Sequence, residues 1–326
     1  AVVHYCTKPG YRGLLEANPY VDKVHTLSGT LGELVKELRA ERFDFVVDLH
    51  RNLRTLLLKI RLGVPGAAFD KLNWQKWLMV NLKWNVLPPV HIVERYLQAA
   101  APLGVHDDGR GLDYFIPPGQ EVDVAETLPA GFQRGYVAFA IGAQHATKRL
   151  PVERIIELCA QLRRPVVLLG GPEDESTGHV VELHFEHAAP PAEPTGITPQ
   201  SLSPRAHYFD KNALPPTQTL IYNACGRFSL HQSASLVRQA QLVISHDTGL
   251  MHIAAAFRKE IFSVWGNTIP GFGMYPYRTE FRVLEVEGLS CRPCSKIGYE
   301  KCPQGHFRCM RDIRFDLDLP PGRDAR

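Results

Sequence analysis

The chain has 326 residues, of which 44% are hydrophobic and 22% charged. This composition is typical of a globular protein, and the length suits two domains of about 150 residues each. No apolar run of about 18 residues occurs, which excludes a membrane-spanning helix, and no secretion signal is recognisable, so a cytoplasmic protein is expected. The net charge of +3, from 37 basic and 34 acidic residues, is too small to indicate a nucleic-acid partner.

The first half of the chain alternates short apolar runs with amphipathic helical stretches. In chain order the pattern predicts strand AVVHYC, helix GLLEA, strand DKVHTL, helix LGELVKELRAE, strand FDFVVDLH and helix NLRTLLLKIRLG, followed by helical material over 71–84 and 92–103. This alternation is typical of a parallel sheet covered by helices.

A stretch over 109–135 contains PPG and LPAG and predicts a domain junction. After it the alternation restarts with strand YVAFAIG, helix VERIIELCAQL and strand PVVLLGG, and later with LIYNACG, LHQSASLVRQA, LVISHD, LMHIAAAF and IFSVWG. We therefore expect an α/β protein of two Rossmann-like domains, over 1–130 and 131–326, with a ligand in the cleft between them.

One segment does not follow this pattern. Seven prolines lie between 178 and 220, where a helix should join two parallel strands. VVELHFEH can supply part of that helix, and the remainder is predicted to be a long irregular loop or a disordered insert.

Four strand-to-helix junctions of the second half carry glycine or polar residues, at 141–151, 168–175, 223–230 and 245–252. Each alone is compatible with an ordinary turn, which needs the same residue types. Because the carboxyl ends of parallel strands share one edge of the sheet, their combination favours a common ligand site.

The most informative junction is VISHDTGLMHIAAAF, at 243–257. Asp247 or Thr248 can cap the helix that follows, and Gly249 allows a ligand to approach the backbone closely. The start of this helix suits a phosphate group. His252, one turn in, is either a second anion ligand or a core histidine that bonds to a carbonyl oxygen.

Two further side chains belong to neighbouring junctions. Lys148 supplies a mobile cation of the kind that pairs with a diphosphate. Glu173 can accept hydrogen bonds from sugar hydroxyls, or it is an ordinary acid in the first turn of a helix.

The region from Arg51 to Lys83 holds seven basic residues and the single acid Asp70. It indicates either an anionic partner or a solvated helix face.

The seven cysteines fall into two groups. Cys6, Cys159 and Cys225 stand singly in apolar surroundings and are predicted core residues. Cys291, Cys294, Cys302 and Cys309 form a Cys-x2-Cys-x7-Cys-x6-Cys cluster with His306 inside it. A zinc knuckle, packed free thiols and a local disulfide all remain open for this cluster.

GAQHATKRLP, GGPED, the block SLHQSASLVRQAQLVISHDTGLMHIAAA and the following VWGNTIP resemble glycosyltransferase family 9, the ADP-heptose–lipopolysaccharide heptosyltransferases. The resemblance covers nearly the whole chain and is most specific at Asp247-Thr248-Gly249-Leu250-Met251-His252. It implies a GT-B fold and an inverting transfer without metal or cofactor. It also implies a nucleotide-sugar donor, ADP-heptose, on the C-terminal domain and a lipid A–core acceptor on the N-terminal domain.

The same resemblance implies roles for individual residues. The donor diphosphate and sugar would contact Lys148, Asp247, Thr248, Gly249 and His252; Glu173 would bind donor hydroxyls, and Gly142 and Thr147 would line the same pocket. DLHRNLRTLLLK looks like the segment that meets the anionic groups of the acceptor, with Arg51, Arg54 and Lys59 as candidates.

KLNWQKWLMVNLKW interleaves three tryptophans with three lysines. A basic helix rich in tryptophan can rest on an anionic membrane surface, here the cytoplasmic face of the inner membrane, where a lipid-linked acceptor is embedded. Ordinary packing between helices is the alternative.

The start of the chain departs from the family pattern. Members of the family begin with a strand, a glycine-containing loop that carries the expected general-base Asp, and a helix. The chain begins at what looks like the second strand, so we expect that unit, and the base with it, to lie outside the sequence. Asp48 and His50 are the nearest substitutes and are expected to be acceptor-side or structural residues.

Two other functions stay open at this point. Another GT-B enzyme, such as a nucleotide-sugar 2-epimerase, would share the cleft but need no lipid acceptor. A non-catalytic binder of nucleotide-sugars or glycans would need no base. A dinucleotide-dependent dehydrogenase is disfavoured, because no GxGxxG follows a strand.

Overall fold

The computed structural model describes residues 1–188 and 219–317. The N-terminal half contains β1 (His4–Thr7), α1 (Gly13–Glu16), β2 (Lys23–Thr26), α2 (Leu31–Ala40), β3 (Val46–Asp48), α3 (Leu53–Leu62), β4 (Gly66–Ala68), α4 (Asn73–Asn81) and α5 (Ile92–Ala100). The C-terminal half contains α6 (Val124–Thr127), β5 (Val137–Ala140), α7 (Val152–Leu162), β6 (Val166–Leu169), α8 (Glu175–Ala188), β7 (Ile221–Asn223), α9 (Leu230–Gln239), β8 (Leu242–His246), α10 (Gly249–Ala256), β9 (Ile261–Trp265), β10 (Phe281–Glu285) and α11 (Arg308–Arg311). The predicted alternation of strands and helices is confirmed, and β4, α6, β10 and α11 are additions to it.

The C-terminal half is built on one parallel sheet of six strands in the order β10-β9-β8-β5-β6-β7. Its inner strands β5, β6, β8 and β9 are buried along their whole length. Parallel strands covered on both faces need apolar residues at every position, which explains the uninterrupted runs VAFA and VVLL. All six carboxyl ends therefore lie along one edge.

Helices cover both faces of this sheet. Alternate residues of β5 point to opposite faces, so Val137 and Phe139 join one core cluster with α7, whereas Ala138 joins the other with α9 and α10. Helix α9 begins with a reciprocal capping box between Ser229 and Gln232. In the described part of the chain no helix is long and apolar enough to cross a membrane.

The N-terminal half has a sparser architecture. Its four described strands form two separate parallel pairs, β1 with β2 and β3 with β4. Helix α2 starts at a Thr30–Glu33 capping box and buries Leu34, Val35 and Leu38. Helix α3, in contrast, has no fully buried side chain among its ten residues. The first core of the molecule is thus much smaller than the second.

The segment between the halves packs against the C-terminal sheet. Val122 and Leu128 belong to the core cluster that contains α9 and α10, and the Ser235 hydroxyl donates to Glu121 Oε2 at 2.7 Å. The division at residue 130 stays a prediction.

Helix α5 connects the halves. The Ile92 N–H donates to Gly273 O at 2.7 Å, and Arg95 donates to Phe272 O and Asp70 O at 3.1 Å each. Gly273 has φ +80°, and a Cβ there would lie 2.7 Å from Val90 O. Only glycine therefore permits this close approach of two backbones.

His91, at the N-cap of α5, completes this contact. Its ring is buried, bonds to Tyr275 O at 2.8 Å and accepts a hydrogen bond from the Val93 N–H. Tyr277 stacks on it at a centroid distance of 4.5 Å. Burial lowers the pKa of His91 to about 4, chiefly because the charged ring would lose its hydration.

The structure describes only part of the proline-rich segment between 178 and 220. Residues 178–188 continue α8, and residues 189–218 lie outside the described residues. The predicted irregular insert stays a prediction there.

The depressed pKa of His91 predicts a pH dependence of stability. The unfolded chain takes up a proton near pH 6.5 and the native ring only near pH 4. The free energy of unfolding should therefore fall as the pH drops through this window, by up to about 1.4 kcal/mol per pH unit from this group.

His91→Asn removes the imidazole but keeps a residue that caps helices well. Urea unfolding at several pH values within that window should give the variant a shallower loss of stability than the unchanged protein. Equal slopes would show that His91 is not buried in its neutral form.

Candidate functional site

The turn between β8 and α10 lies at the carboxyl edge of the C-terminal sheet. Thr248 occupies the N-cap position with extended backbone, but no side chain caps the helix. The expectation that Asp247 or Thr248 caps α10 is therefore wrong. The first N–H groups of α10 keep their hydrogen-bonding capacity and the partial positive charge of a helix start.

The body of α10 anchors this turn. Met251, Ile253 and Ala254 to Ala256 are buried in the core, whereas Gly249 is exposed and a Cβ there would meet no atom within 4 Å. None of the described residues around it therefore requires a glycine at this position. Open space in front of an uncapped helix start is what an anionic ligand needs.

Lys148 and Asp247 form an ion pair beside this helix start. Lys148 ends a 3-10 turn after β5, and its Nζ lies 2.6 Å from Asp247 Oδ2, with 16% and 8% of the two side chains exposed. The Thr268 hydroxyl donates to the same carboxylate oxygen at 2.9 Å. Three adjacent strands, β5, β8 and β9, thus each contribute one side chain, and the ammonium group is held in place by the carboxylate.

His252 lies one turn into α10 and is partly exposed. Burial and the nearby Lys148 lower its pKa, with burial the larger cause, while Asp247 raises it. The ring is also within electrostatic range of His91. Within the described residues His252 has no hydrogen-bond partner, so its ring can act as a neutral donor or acceptor toward a ligand.

In the junction after β6, the side chain of Asp174 is buried, whereas that of Glu173 is not. Asp174 is buried, accepts the Gly171 N–H at 3.0 Å and lies 3.2 Å from Arg149 Nη1. Burial raises the pKa of Asp174, and Arg149 opposes this. Glu173 is exposed, as a ligand-binding or a solvated acid would be.

Gly142 and Thr147 have protein contacts that limit their exposure to a ligand. A Cβ on Gly142 would overlap Asp174 Oδ2, so this glycine makes room for the carboxylate. The Thr147 hydroxyl donates to Tyr299 O at 3.1 Å and accepts the Tyr299 N–H at 2.8 Å. Thr147 therefore positions the turn that carries Lys148.

The basic candidates of the N-terminal half lie around the end of β3. Asp48 is buried and accepts the N–H groups of His50 at 2.9 Å and Arg51 at 2.7 Å, and Lys59 Nζ lies 3.4 Å away. Although burial raises its pKa, these bonds hold the pKa of Asp48 below the usual value. A carboxylate so engaged is a poor general base.

The three basic side chains differ in how far protein contacts already occupy them. Lys59 forms an ion pair with Asp48. Arg51 is more than half exposed and donates to Phe69 O and Asp70 Oδ1. Arg54 is exposed and forms no ion pair within the described residues. Arg51 and Arg54 can thus reach an external anion, whereas Lys59 is partly structural.

Four residues of this edge were not predicted from the sequence. Thr268 is fixed by its long-range contact with Asp247, Arg149 pairs with Asp174, and Asp174 differs from Glu173 only in the direction its turn imposes. Asn267 is buried, and neither polar atom of its side chain has a hydrogen-bond partner in the described residues. The motifs VWGNTIP, GAQHATKRLP and GGPED, which contain these residues, were the available signals.

A shallow depression at the other edge has no such features. It is lined by Arg258, Glu260, Arg278, Thr279 and Glu280, which precede β9 and β10. Ligands of open parallel sheets bind at the carboxyl ends of the strands, so this depression is not the functional site.

A family model for glycosyltransferase family 9 (heptosyltransferase) matches residues 31–193 and 209–303. That is well over half of the chain. The chain belongs to glycosyltransferase family 9. The resemblance seen in the sequence is confirmed, and with it the enzyme class, a glycosyltransferase.

Individual relatives agree with this assignment. The chain is similar to lipooligosaccharide heptosyltransferase 2 of Haemophilus influenzae, with 23% identity over 308 residues, or 89% of the chain and 78% of the relative. Among solved structures it is similar to a family 9 glycosyltransferase from Veillonella parvula, with a TM-score of 0.63, 22% identity and coverage of 87% and 77%. The E. coli ADP-heptose LPS heptosyltransferase II gives a TM-score of 0.60, 20% identity and coverage of 96% and 89%. The expected GT-B fold is confirmed by these likenesses.

Proposed function

We propose that the protein transfers a heptose from ADP-heptose to an inner-core sugar of lipopolysaccharide, with inversion at the anomeric carbon and without metal or cofactor in the transfer. Membership of family 9 and the names of the two heptosyltransferases support this proposal. The observation that carries it is the Lys148 ammonium group, held by Asp247 beside the uncapped start of α10.

The donor diphosphate would bind at this place. As the bond between sugar and phosphate breaks, negative charge grows on the departing ADP. The Lys148 ammonium and the N–H groups of Thr248, Gly249 and the residues after them are fixed before the reaction and would stabilise that charge. Asp247 would orient Lys148 and not touch the phosphates, because its carboxylate would repel them.

The donor sugar would lie beside the diphosphate. His252 has free ring nitrogens in this area, and Glu173 is exposed at the end of β6. We assign hydrogen bonds to sugar hydroxyls to these two side chains, and we assign the backbone around Gly142 and Thr147 to the wall of the same pocket.

The acceptor would bind to the N-terminal domain, over 1–130, opposite the donor domain over 131–326. Inner-core lipopolysaccharide carries phosphates and carboxylates, which Arg51 and Arg54 can contact as bidentate donors. Lys59 would contribute less to acceptor binding, since its charge is already paired with Asp48. The base that deprotonates the acceptor hydroxyl is not assigned to any described residue.

The direct test is a transfer assay with the full-length protein, ADP-heptose and a deep-core acceptor. A mass gain of one heptose on the acceptor, with release of ADP, is expected. Binding of ADP-heptose without turnover would favour the non-catalytic binder. Conversion of a nucleotide-sugar with no acceptor present would favour the 2-epimerase.

Two variants test the donor site. Lys148→Ala should weaken ADP binding at least tenfold, because the cation that faces the diphosphate is lost. Gly249→Ala should weaken it similarly by filling the space before the helix start. Since that Cβ meets no protein atom, the free energy of unfolding should change by no more than about 0.5 kcal/mol. Calorimetric titration with ADP and urea unfolding give both quantities; unchanged ADP affinity in the two variants would exclude this diphosphate site.

A second pair separates acceptor binding from structure. Arg54→Ala should raise the KM for the acceptor several-fold and leave both ADP affinity and stability unchanged, since the exposed side chain supports no buried group. Lys59→Ala should in addition lower the free energy of unfolding, because Asp48 stays buried with less compensation. If Arg54→Ala leaves the acceptor KM as it is, the acceptor lies elsewhere.

We also propose that α4 rests on the cytoplasmic face of the inner membrane. Trp74 and Trp77 stack on each other at 5.3 Å and are 65% and 48% exposed, and Trp84 is 63% exposed. Exposed indoles suit the headgroup region of a bilayer. Of the lysines, Lys83 donates to Pro293 O and Lys76 lies against Phe272, so the indoles would supply most of the attraction.

Co-sedimentation with anionic vesicles tests this contact. The unchanged protein should bind, and Trp74→Ala/Trp77→Ala should bind several-fold less with the same ADP affinity. Equal binding of both proteins would show that α4 does not face the membrane.

A further inference from the structure

Two histidines of the N-terminal half lie side by side on the β1–β2 pair. In the parallel register His4 is opposite Lys23 and Cys6 is opposite His25, so both imidazoles stand on the same face of the pair. His4 Nδ1 lies 3.0 Å from His25 Nε2. His25 is only 1% exposed, whereas His4 is partly exposed. The two rings thus form a cluster that is buried at His25 and reaches solvent at His4.

The end of α2 adds two carboxylates to this cluster. Glu37 is in the last turn of α2 and Glu41 is its C-cap residue, so the two side chains lie on one side of the helix. Glu37 Oε1 lies 2.5 Å from His25 Nδ1, and Glu41 Oε2 lies 3.9 Å from His4 Nδ1. Lys23 binds the other carboxylate oxygen of Glu41, Oε1. Within the described residues, His4, His25 and Glu41 are the one trio of histidine, cysteine or acidic side chains whose ligand atoms all lie within 4.8 Å of one another.

Glu37 determines which nitrogen of His25 is available to a ligand. A carboxylate accepts hydrogen bonds, so His25 Nδ1 donates to it and Nε2 of the neutral ring keeps its lone pair. Histidines that bind metal ions commonly donate their second N–H to a carboxylate in this way, which orients the ring and makes the other nitrogen more basic. Phe43 packs edge-on against both imidazoles, at centroid distances of 5.1 Å and 6.3 Å. The His25 lone pair is therefore held toward the space that it shares with His4 and Glu41.

We propose that His4 Nδ1, His25 Nε2 and a carboxylate oxygen of Glu41 bind one zinc ion, with water as the fourth ligand. Two histidines and one glutamate are a ligand set that zinc accepts. Zinc bonds of about 2.0–2.2 Å in tetrahedral geometry place the ligand atoms about 3.3–3.6 Å apart. The separations of 3.0 Å between the two nitrogens and 3.9 Å between His4 and Glu41 bracket this spacing. Small rotations of the side chains are therefore enough to admit the ion.

The contacts that the trio already makes do not prevent zinc from binding. The ion replaces one hydrogen bond between His4 and His25 with a bond to each ring. The neutral His4 ring loses its proton from Nδ1 and takes one up from solvent at Nε2, so no oxidant or reductant is required. Lys23 is 52% exposed, so water screens its charge and the side chain can turn away from Glu41.

A zinc ion at this place would join three elements of the smaller half. His4 belongs to β1, His25 to β2 and Glu41 to the end of α2. Within the described residues β1 and β2 pair only with each other, over four residues each, and a strand pair this short has little stability of its own. Metal binding to the native state adds directly to stability. The role is structural and does not rest on the proposed transfer, since none of these residues belongs to the donor or acceptor contacts.

The zinc content of full-length protein tests the site. The protein is prepared without a histidine tag, treated with chelator, incubated with Zn²⁺ and freed of unbound ion before inductively coupled plasma mass spectrometry. The unchanged protein should hold one Zn²⁺ per chain more than His4→Ala or Glu41→Ala. His106→Ala, which replaces an exposed histidine outside the trio, should match the unchanged protein. The four C-terminal cysteines are free thiols, but they are common to all these proteins and cancel in the comparison.

Two variants next to the ligands test how the site is built. Glu37→Gln should weaken zinc binding by about 10- to 100-fold, because the amide still reaches His25 but polarises its ring less. Lys23→Ala should bind zinc at least as tightly as the unchanged protein, because a positive charge beside Glu41 is removed. Calorimetric titration with Zn²⁺ measures both affinities. Unchanged affinity in Glu37→Gln would refute the positioning role of Glu37.

Cobalt identifies the atoms that bind the ion. The difference between the absorption spectra of Co²⁺-loaded unchanged protein and Co²⁺-loaded His4→Ala should show the bands of a tetrahedral ion without a sulfur-to-metal charge-transfer band. Zn²⁺ should also raise the urea midpoint of the unchanged protein more than that of His4→Ala. Circular dichroism shows whether each variant is folded. Should His4→Ala fail to fold, Glu41→Ala replaces it, since its side chain is the more exposed of the two.

Two outcomes would overturn the proposal. One is equal zinc content in the unchanged protein and in the folded His4→Ala or Glu41→Ala variant. The other is a cobalt difference spectrum that contains the sulfur band, because the ion lost with His4 would then be bound by a thiolate.

Discussion

The ion pair between Lys148 and Asp247 is the contact on which the rest of the site depends. It joins the loops after β5 and β8, and Thr268 ties in the loop after β9. A lysine side chain has many rotamers, and its freedom must be removed before it can serve as a fixed charge. The carboxylate does this before any ligand arrives. The protein can therefore present a positive charge at the start of α10 without spending ligand binding energy on its arrangement.

Fixing that pair requires a rigid sheet, and the C-terminal half provides it. Strands β5, β6, β8 and β9 are buried from end to end, so their carboxyl ends hold a constant relative position. The smaller N-terminal half has two separate strand pairs and a helix α3 that buries no side chain fully. This contrast matches the division of labour proposed for them: a precise site for a small charged donor, and a more adaptable surface for a large, flexible acceptor.

Much of this arrangement was accessible from the sequence. The buried strands were predictable because four or five consecutive apolar residues between helices fit a covered parallel sheet. The HDTG turn was predictable as a strand-to-helix junction, because glycine and residues that can cap a helix are common at such junctions. In contrast, β4 consists of Gly-Ala-Ala, which has no intrinsic strand preference, and it forms only because β3 lies beside it.

The side-chain roles were harder to predict for a related reason. Adjacent acids such as Glu173 and Asp174 look alike in a sequence, and only the turn decides which one is buried with Arg149. Thr147 is of a residue type that often lines a pocket, but its hydroxyl is hydrogen-bonded to the backbone of Tyr299, which lies 152 positions away. Likewise, the partner of Lys59 depends on how α3 packs after β3. Long-range contacts of this kind leave no local pattern.

The contact around His91 and Gly273 has a mechanical consequence. Two backbones meet there through the Ile92–Gly273 bond, with Arg95 alongside. Large rotations of one half against the other would break these short bonds unless the rotation axis passes close to them. Any such rotation would therefore have to pivot close to this contact, and side chains beside it would move least. Gly273 is the residue that lets the two backbones lie close enough to impose this constraint.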